Sequence, residues 1–145
     1  MTINATPIDV PDSQPSAREV LAPTPNPETV PFWQAAAQGR LALRYCRDCG
    51  RHHYYPRVLC AHCMSDAVEW RDAVGRGRIH AFSVMRRAPV PYAVAYVELE
   101  EGPLMLTNIV RCDLDALRIG DSVLLCFDTF EGGALPVFKP VAAAA

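Results

Sequence analysis

Apolar and polar positions fall into two regimes along the chain. From Gly75 onward, short apolar runs alternate with turn residues. Arg78 to Val84 (RIHAFSV) alternates in part, with the period of a half-buried strand. Tyr92 to Leu99 (YAVAYVEL), Leu104 to Val110 (LMLTNIV), Ser122 to Phe127 (SVLLCF) and Leu135 to Val141 (LPVFKPV) supply four more strands. Glu100-Glu101-Gly102, Ile119-Gly120-Asp121 and Gly132-Gly133 read as turns between them. Five strands in about 65 residues predict a small closed barrel of the OB type, since a β-sandwich usually needs about seven. No internal repeat is present.

The N-terminal part reads differently. Seven of the thirteen prolines lie between Pro7 and Pro31, with little apolar periodicity. Residues 1–27 are expected to form an extended, mobile arm, which buries too little surface to offset its ordering entropy. Residues 28–39 predict a short helix with Thr29 as N-cap, Pro31 in the first turn and Gly39 as the stop. Phe32 and Trp33 are adjacent, so they point to different parts of the helix surface. One can pack on its own domain while the other is left for a partner; the competing reading is that both are core.

Residues 40–72 hold the strongest chemical signal. Cys46-x2-Cys49-x10-Cys60-x2-Cys63 is the pattern of a zinc ribbon. Each two-residue gap lets a tight turn aim two sulfurs at one ion, and two turns complete a tetrahedron. Gly50 lets the backbone fold closely around the first pair. Zinc is the favoured ion; four thiolates also hold iron, and a dithiol redox centre is the remaining alternative. A four-thiolate site is closed, so its metal is expected to be structural. Cys112 and Cys126 read as small buried hydrophobes. His62, between Cys60 and Cys63, is a competing ligand by position, but four cysteines already suffice. His52, His53 and His80 have no nucleophile or paired carboxylates to work with. Asp113 and Asp115 fit loop chemistry, and Glu98, Glu100 and Glu101 fit the polar end of a hairpin.

Charge narrows the partners. The chain has a net charge of −2, but residues 40–90 carry ten Arg against four acids, while residues 91–145 carry three basic residues against eight acids. The Arg-rich middle suits an anionic ligand, because the guanidinium fork matches phosphate and carboxylate; the competing reading is a set of solvated edge residues of a small domain. No run of about 18 apolar residues is available to cross a membrane. The opening residues lack a basic segment followed by an apolar core, so a soluble, cytoplasmic protein is expected.

The ordered set PETVPFW, GRL, CRDCG, YYPR, CAHC, GRGRIHAFSV, PYAVAYVEL, IGDSV and LPVFKP resembles the DUF35 family, OB-fold proteins with a rubredoxin-like zinc ribbon. The resemblance covers residues 27–141 and implies a mostly β chain: helix, ribbon at 40–72, five-stranded barrel at 73–141. It also implies a non-catalytic accessory subunit in acyl-CoA metabolism. The partner would be a thiolase-superfamily enzyme (a thiolase or steroid side-chain aldolase) or a MaoC-like hydratase, in a hetero-oligomer.

By the same resemblance, Cys46, Cys49, Cys60 and Cys63 hold structural zinc, and Phe32 and Trp33 match the family's aromatic helix at the partner interface. Arg57, Arg76, Arg78, Arg86 and Arg87 are the basic residues in the region associated with acyl-CoA. Met64 departs from the glycine pattern and is expected to change the second turn. The alternative is a single-stranded nucleic-acid binder, supported by the ribbon, the barrel, Tyr54, Tyr55 and Phe82. The acidic barrel segment and the near absence of Lys argue against it.

Overall fold

The computed structural model describes residues 12–142. The elements in chain order are β1 (Ser13–Pro15), α1 (Val30–Ala36), β2 (Ala42–Cys46), β3 (His52–His53), β4 (Val68–Asp72), β5 (Arg76–Met85), β6 (Tyr92–Leu99), β7 (Leu104–Ile109), β8 (Ser122–Phe130) and β9 (Gly133–Pro140). Strands β3-β2-β4 make a small antiparallel sheet. The order β8-β5-β6-β7-β9 closes on itself through β8–β9, giving a five-stranded barrel. The closing β7–β9 contact is parallel, with Ile109 opposite Phe138. The chain is mostly β, with a ribbon followed by an OB-type barrel. No helix among the described residues is long and apolar enough to cross a membrane.

The period of two positions the barrel core. Ala93, Ala95, Val97 and Leu99 of β6, and Met105 and Ile109 of β7, are buried, while the residues between them face outward. Thr107 also points inward, and its hydroxyl donates to the Pro136 carbonyl at 3.2 Å. The ten-residue β5 pairs with β8 only over Arg76–Arg78, then bends at a register shift between Ile79 and Ala81 to follow β6. Gly77 sits where a Cβ would lie 2.6 Å from the Glu98 carbonyl oxygen, so any side chain there pushes β5 and β6 apart.

Helix α1 joins ribbon and barrel. Phe32, Leu41 and Leu43 share one core with the barrel residues Ile79, Ile109 and Phe138. Ala36 packs with Phe127 and Ala134. The two folded segments therefore have one continuous hydrophobic interior. Thr29 occupies the N-cap position, but its hydroxyl caps no helix N–H. It accepts from the Asn26 N–H while Asn26 Oδ1 accepts from the Thr29 N–H, so the turn before the helix takes the bonds expected of the cap. Gly39, at φ 76°, ends the helix as expected, with the Arg40 N–H reaching Ala35 O and the Gly39 N–H reaching Ala36 O.

Part of the expected arm is ordered against the barrel. Strand β1 pairs in parallel with Phe127–Thr129 of β8. Because β5 covers β8 only as far as Leu124, the backbone groups beyond it are left for β1. Arg18 extends this attachment, stacking 4.0 Å over the Tyr92 ring and donating to Asn108 Oδ1. Residues 1–11 of the expected arm lie outside the described residues.

Candidate metal centre and ligand contacts

The two CxxC turns are built alike. In the first, the Cys46 N–H reaches Arg51 O and the Gly50 N–H reaches Cys46 O. In the second, the Cys60 N–H reaches Ser65 O and the Met64 N–H reaches Cys60 O. Asp48 of one turn accepts from the Ser65 hydroxyl beside the other, tying them together. The four sulfurs all lie within 4.8 Å of one another, with Cys46 to Cys63 at 3.6 Å and Cys49 to Cys60 at 3.7 Å. Metal–sulfur bonds of about 2.3 Å place the corners of a tetrahedron about 3.8 Å apart, so the set fits a tetrahedral ion of zinc's size. The His62 N–H points at Cys60 Sγ, 3.3 Å away, an arrangement that favours thiolate. The His62 ring is engaged elsewhere, with Nε2 3.2 Å from the His52 carbonyl.

Met64 does not change the second turn. It adopts φ 65°, nearly the 72° of Gly50, and so keeps the geometry at the expense of backbone strain. A left-handed non-glycine residue costs roughly 1–2 kcal/mol. Glycine gives back about 0.5–1 kcal/mol through its unfolded-state entropy. Met64 is 68% exposed and contributes little packing. Met64→Gly is therefore expected to raise the stability of the metal-loaded protein by up to about 1 kcal/mol, read as a higher urea midpoint.

The adjacent aromatics of α1 divide sharply. Phe32 is 2% exposed and makes an edge contact with Trp33 at 5.0 Å. It is a core residue and is not available as a partner contact. Trp33 is half-buried. With Tyr54, Tyr92 and Leu106 it lines a groove of about 280 Å³ between the helix and the outer face of β6–β7. That face continues as Tyr96, directly opposite Leu106, and Leu104, all three exposed. Sequence reasoning passed over this stripe. The available signal was that Tyr92 to Tyr96 and Leu104 to Leu106 carry apolar residues on both faces of their strands.

The five candidate arginines do not form one site. Arg76 and Arg78 sit at the start of β5 beside an open cavity of about 490 Å³, which Glu98 and Glu100 also line. Arg76 pairs with Glu100 at 2.9 Å. Arg86 and Arg87 follow the far end of β5, eight or more residues on, about 25 Å along a strand. Arg86 is paired with Asp115 at 2.6 Å. Arg57 lies in the ribbon, where its carbonyl accepts from Arg44. Strand length separates residues that charge counting had grouped.

No reactive centre gathers among the remaining candidates. His53 is buried with neither ring nitrogen hydrogen-bonded among the described residues, and burial, with help from His62 and Arg44, pushes its pKa down. Burial pushes the Cys126 thiol up to about 11 and raises Cys112 as well, the opposite of an activated nucleophile. The cysteine set is the one cluster of metal-ligating side chains found among the described residues.

Two family descriptions match the chain: the rubredoxin-like zinc ribbon domain of ChsH2 over residues 33–69, and the C-terminal OB-fold domain of ChsH2 over residues 70–128. A "DUF35 domain-containing scaffold protein" of Methanothermobacter thermautotrophicus is 37% identical over 108 residues, covering 69% of this chain and 81% of that one. A "probable enoyl-CoA hydratase alpha subunit" of Thermomonospora curvata is 36% identical over 118 residues, covering 75% of this chain. This chain spans 36% of the length of that relative. Among solved structures, a chain of an "Ltp2-ChsH2(DUF35) aldolase" matches with a TM-score of 0.75 and 33% identity, over 82% of this chain and 98% of that one.

Proposed function

This chain belongs to the ChsH2 (DUF35) family of zinc-ribbon and OB-fold proteins, and from that premise we propose that it is a non-catalytic accessory subunit of an acyl-CoA enzyme complex. The observation that carries the proposal is the match, over 82% of this chain, to a chain of the "Ltp2-ChsH2(DUF35) aldolase". The scaffold and alpha-subunit names of the relatives point the same way. The ribbon supports a structural role: four thiolates saturate a tetrahedral zinc and leave no position for substrate. The partner we propose is a thiolase-superfamily enzyme, such as an aldolase, or a MaoC-like hydratase. The partner, not this chain, would supply the reacting groups. For the CoA phosphates, the exposed Arg76 and Arg78 at the head of β5 are the retained candidates.

The groove beside Trp33 and the Tyr96–Leu106 stripe supports docking through aromatic and aliphatic anchors, which dominate many interfaces. Trp33→Ala is expected to weaken assembly with the co-purified partner at least tenfold while the chain stays folded, at a smaller loss of stability than Phe32→Ala because Trp33 is only half-buried. Size-exclusion chromatography with light scattering measures the first, and urea unfolding the second. Unchanged assembly would remove α1 from the interface.

A further inference from the structure

The strap formed by residues 12–20 is attached to the barrel without being part of its core. No residue from Asp12 to Glu28 is buried, and none belongs to the hydrophobic interior. Its backbone reaches β8 through the β1 pairing. There the Phe127 N–H donates to the Asp12 carbonyl and the Ser16 N–H to the Thr129 carbonyl, both at 3.2 Å. Without β1, β8 still pairs with β9 from Val123 to Phe130, so the barrel closes without the strap. Residues 17–25 make no backbone–backbone hydrogen bond among the described residues. Segments with few buried contacts and solvated backbone open locally, at free energies below that of the whole fold.

Two side-chain anchors hold the strap, one towards each end. Asp12 accepts from Lys139 Nζ at 2.5 Å and stands 3.8 Å from Arg111 Nη1. Six residues on, Arg18 stacks over the Tyr92 ring at 4.0 Å and donates to Asn108 Oδ1 at 3.1 Å. Arg18, Tyr92, Asn108 and Leu135 line two cavities at once: the groove beside Trp33, and a second of about 170 Å³ between strap and barrel. Ser16, Ala17 and Val20 line only the second. Arg18 is thus the partition between the two, and lifting the strap joins them. Asp12 lines neither.

We propose that residues 12–20 are a latch. They lift from β8 as one unit while ribbon and barrel stay folded, and their closure sets Arg18 against Tyr92 as the end wall of the groove beside Trp33. Latch and groove are then linked: a change at Tyr92 alters how firmly the strap is held, and release of the strap at Asp12 opens the groove. The latch does not rest on the accessory-subunit reading.

Amide hydrogen exchange of the metal-loaded full chain, read by NMR, is the test. The Ser16 and Phe127 amides report the latch, and the Val97 amide, central in β6, reports the barrel. Ser16 and Phe127 should be protected, yet exchange at least about tenfold faster than Val97, at a rate that about 1 M urea leaves unchanged while Val97 accelerates. Asp12→Asn removes the anchoring charge and still suits the left-handed φ of 51° at that position. It should speed both latch amides about threefold. Tyr92→Leu removes the stacked ring from the groove, away from β1, and should speed the same two amides about threefold. Both effects are taken relative to Val97 in the same variant, so a general loss of stability is not mistaken for unlatching. The proposal is overturned if Ser16 and Phe127 exchange in step with Val97, if they show no protection in the parent chain, or if either substitution leaves their exchange relative to Val97 unchanged.

Discussion

Stripping the metal from the cysteine cluster is expected to unfold the ribbon and take much of the molecule's stability with it. Structural zinc in small ribbons contributes roughly 10–16 kcal/mol. That matches or exceeds the roughly 5–15 kcal/mol by which whole domains are stable. Strands β2, β3 and β4 are short, and the segments around the cysteines contribute few residues to the core. Losing the ion leaves four thiolates converging on nothing. The loss does not stop at the ribbon, because Leu41 and Leu43, on and beside β2, belong to the same interior as the barrel's Ile109 and Phe138. A chelator under mildly destabilising conditions should abolish the near-ultraviolet dichroism of Trp33 and Trp70 and lower the Tm of the remaining barrel. Cys60→Ser should do the same without chelator, since Cys60 is buried. Metal content measured alongside identifies the ion. Acidification should act in the same direction, because protons compete with the metal for thiolate. An unchanged spectrum after complete metal removal would show that the ribbon holds itself.

The second large effect is expected at Phe32. Its ring fills the junction where helix, ribbon and barrel meet, 5.9 Å from the Tyr54 ring and 6.1 Å from that of Tyr55. Phe→Ala at a fully packed site costs about 3–5 kcal/mol. Phe32→Ala should therefore lower the urea midpoint sharply and loosen α1 from β2 and β9, losing partner assembly as a consequence. Trp33→Ala, one residue on, should lose assembly with its fold intact. The contrast between the two variants separates a core residue from a contact residue.

That contrast also marks where sequence stopped being informative. The cysteine spacing already specifies the ribbon, since only a tetrahedral ion rewards two CxxC turns at that separation. The strand pattern was equally direct at β6, whose observed limits are Tyr92 and Leu99. At β8 the apolar run ends at Phe127, but the strand continues to Phe130 because β1 and β9 both pair with that extension. Strand β1 itself was illegible. A polar, proline-containing segment has no reason of its own to be extended, and it becomes a strand only because β8 offers it unpaired backbone.

Whether Phe32 or Trp33 faces inward could not be read from a seven-residue helix, which is too short to fix the phase of an apolar stripe. The arginines illustrate the same limit. Their grouping by charge is a property of sequence, whereas the ten residues of β5 set Arg76 and Arg86 at its opposite ends. Met64 shows the converse. The sequence signalled a departure from glycine, yet the four ligands and the bonds around them hold the backbone to the same turn.

The central claim, that this chain works as a subunit bound to an acyl-CoA enzyme, is tested most directly by affinity capture of the intact chain from its source cells, with the captured proteins identified and quantified by mass spectrometry. A thiolase-superfamily or MaoC-like enzyme recovered in near-equal amount, and retained after nuclease treatment, is the predicted result. Ribosomal or nucleic-acid-processing proteins that disappear on nuclease treatment, with no acyl-CoA enzyme among the recovered chains, would contradict it.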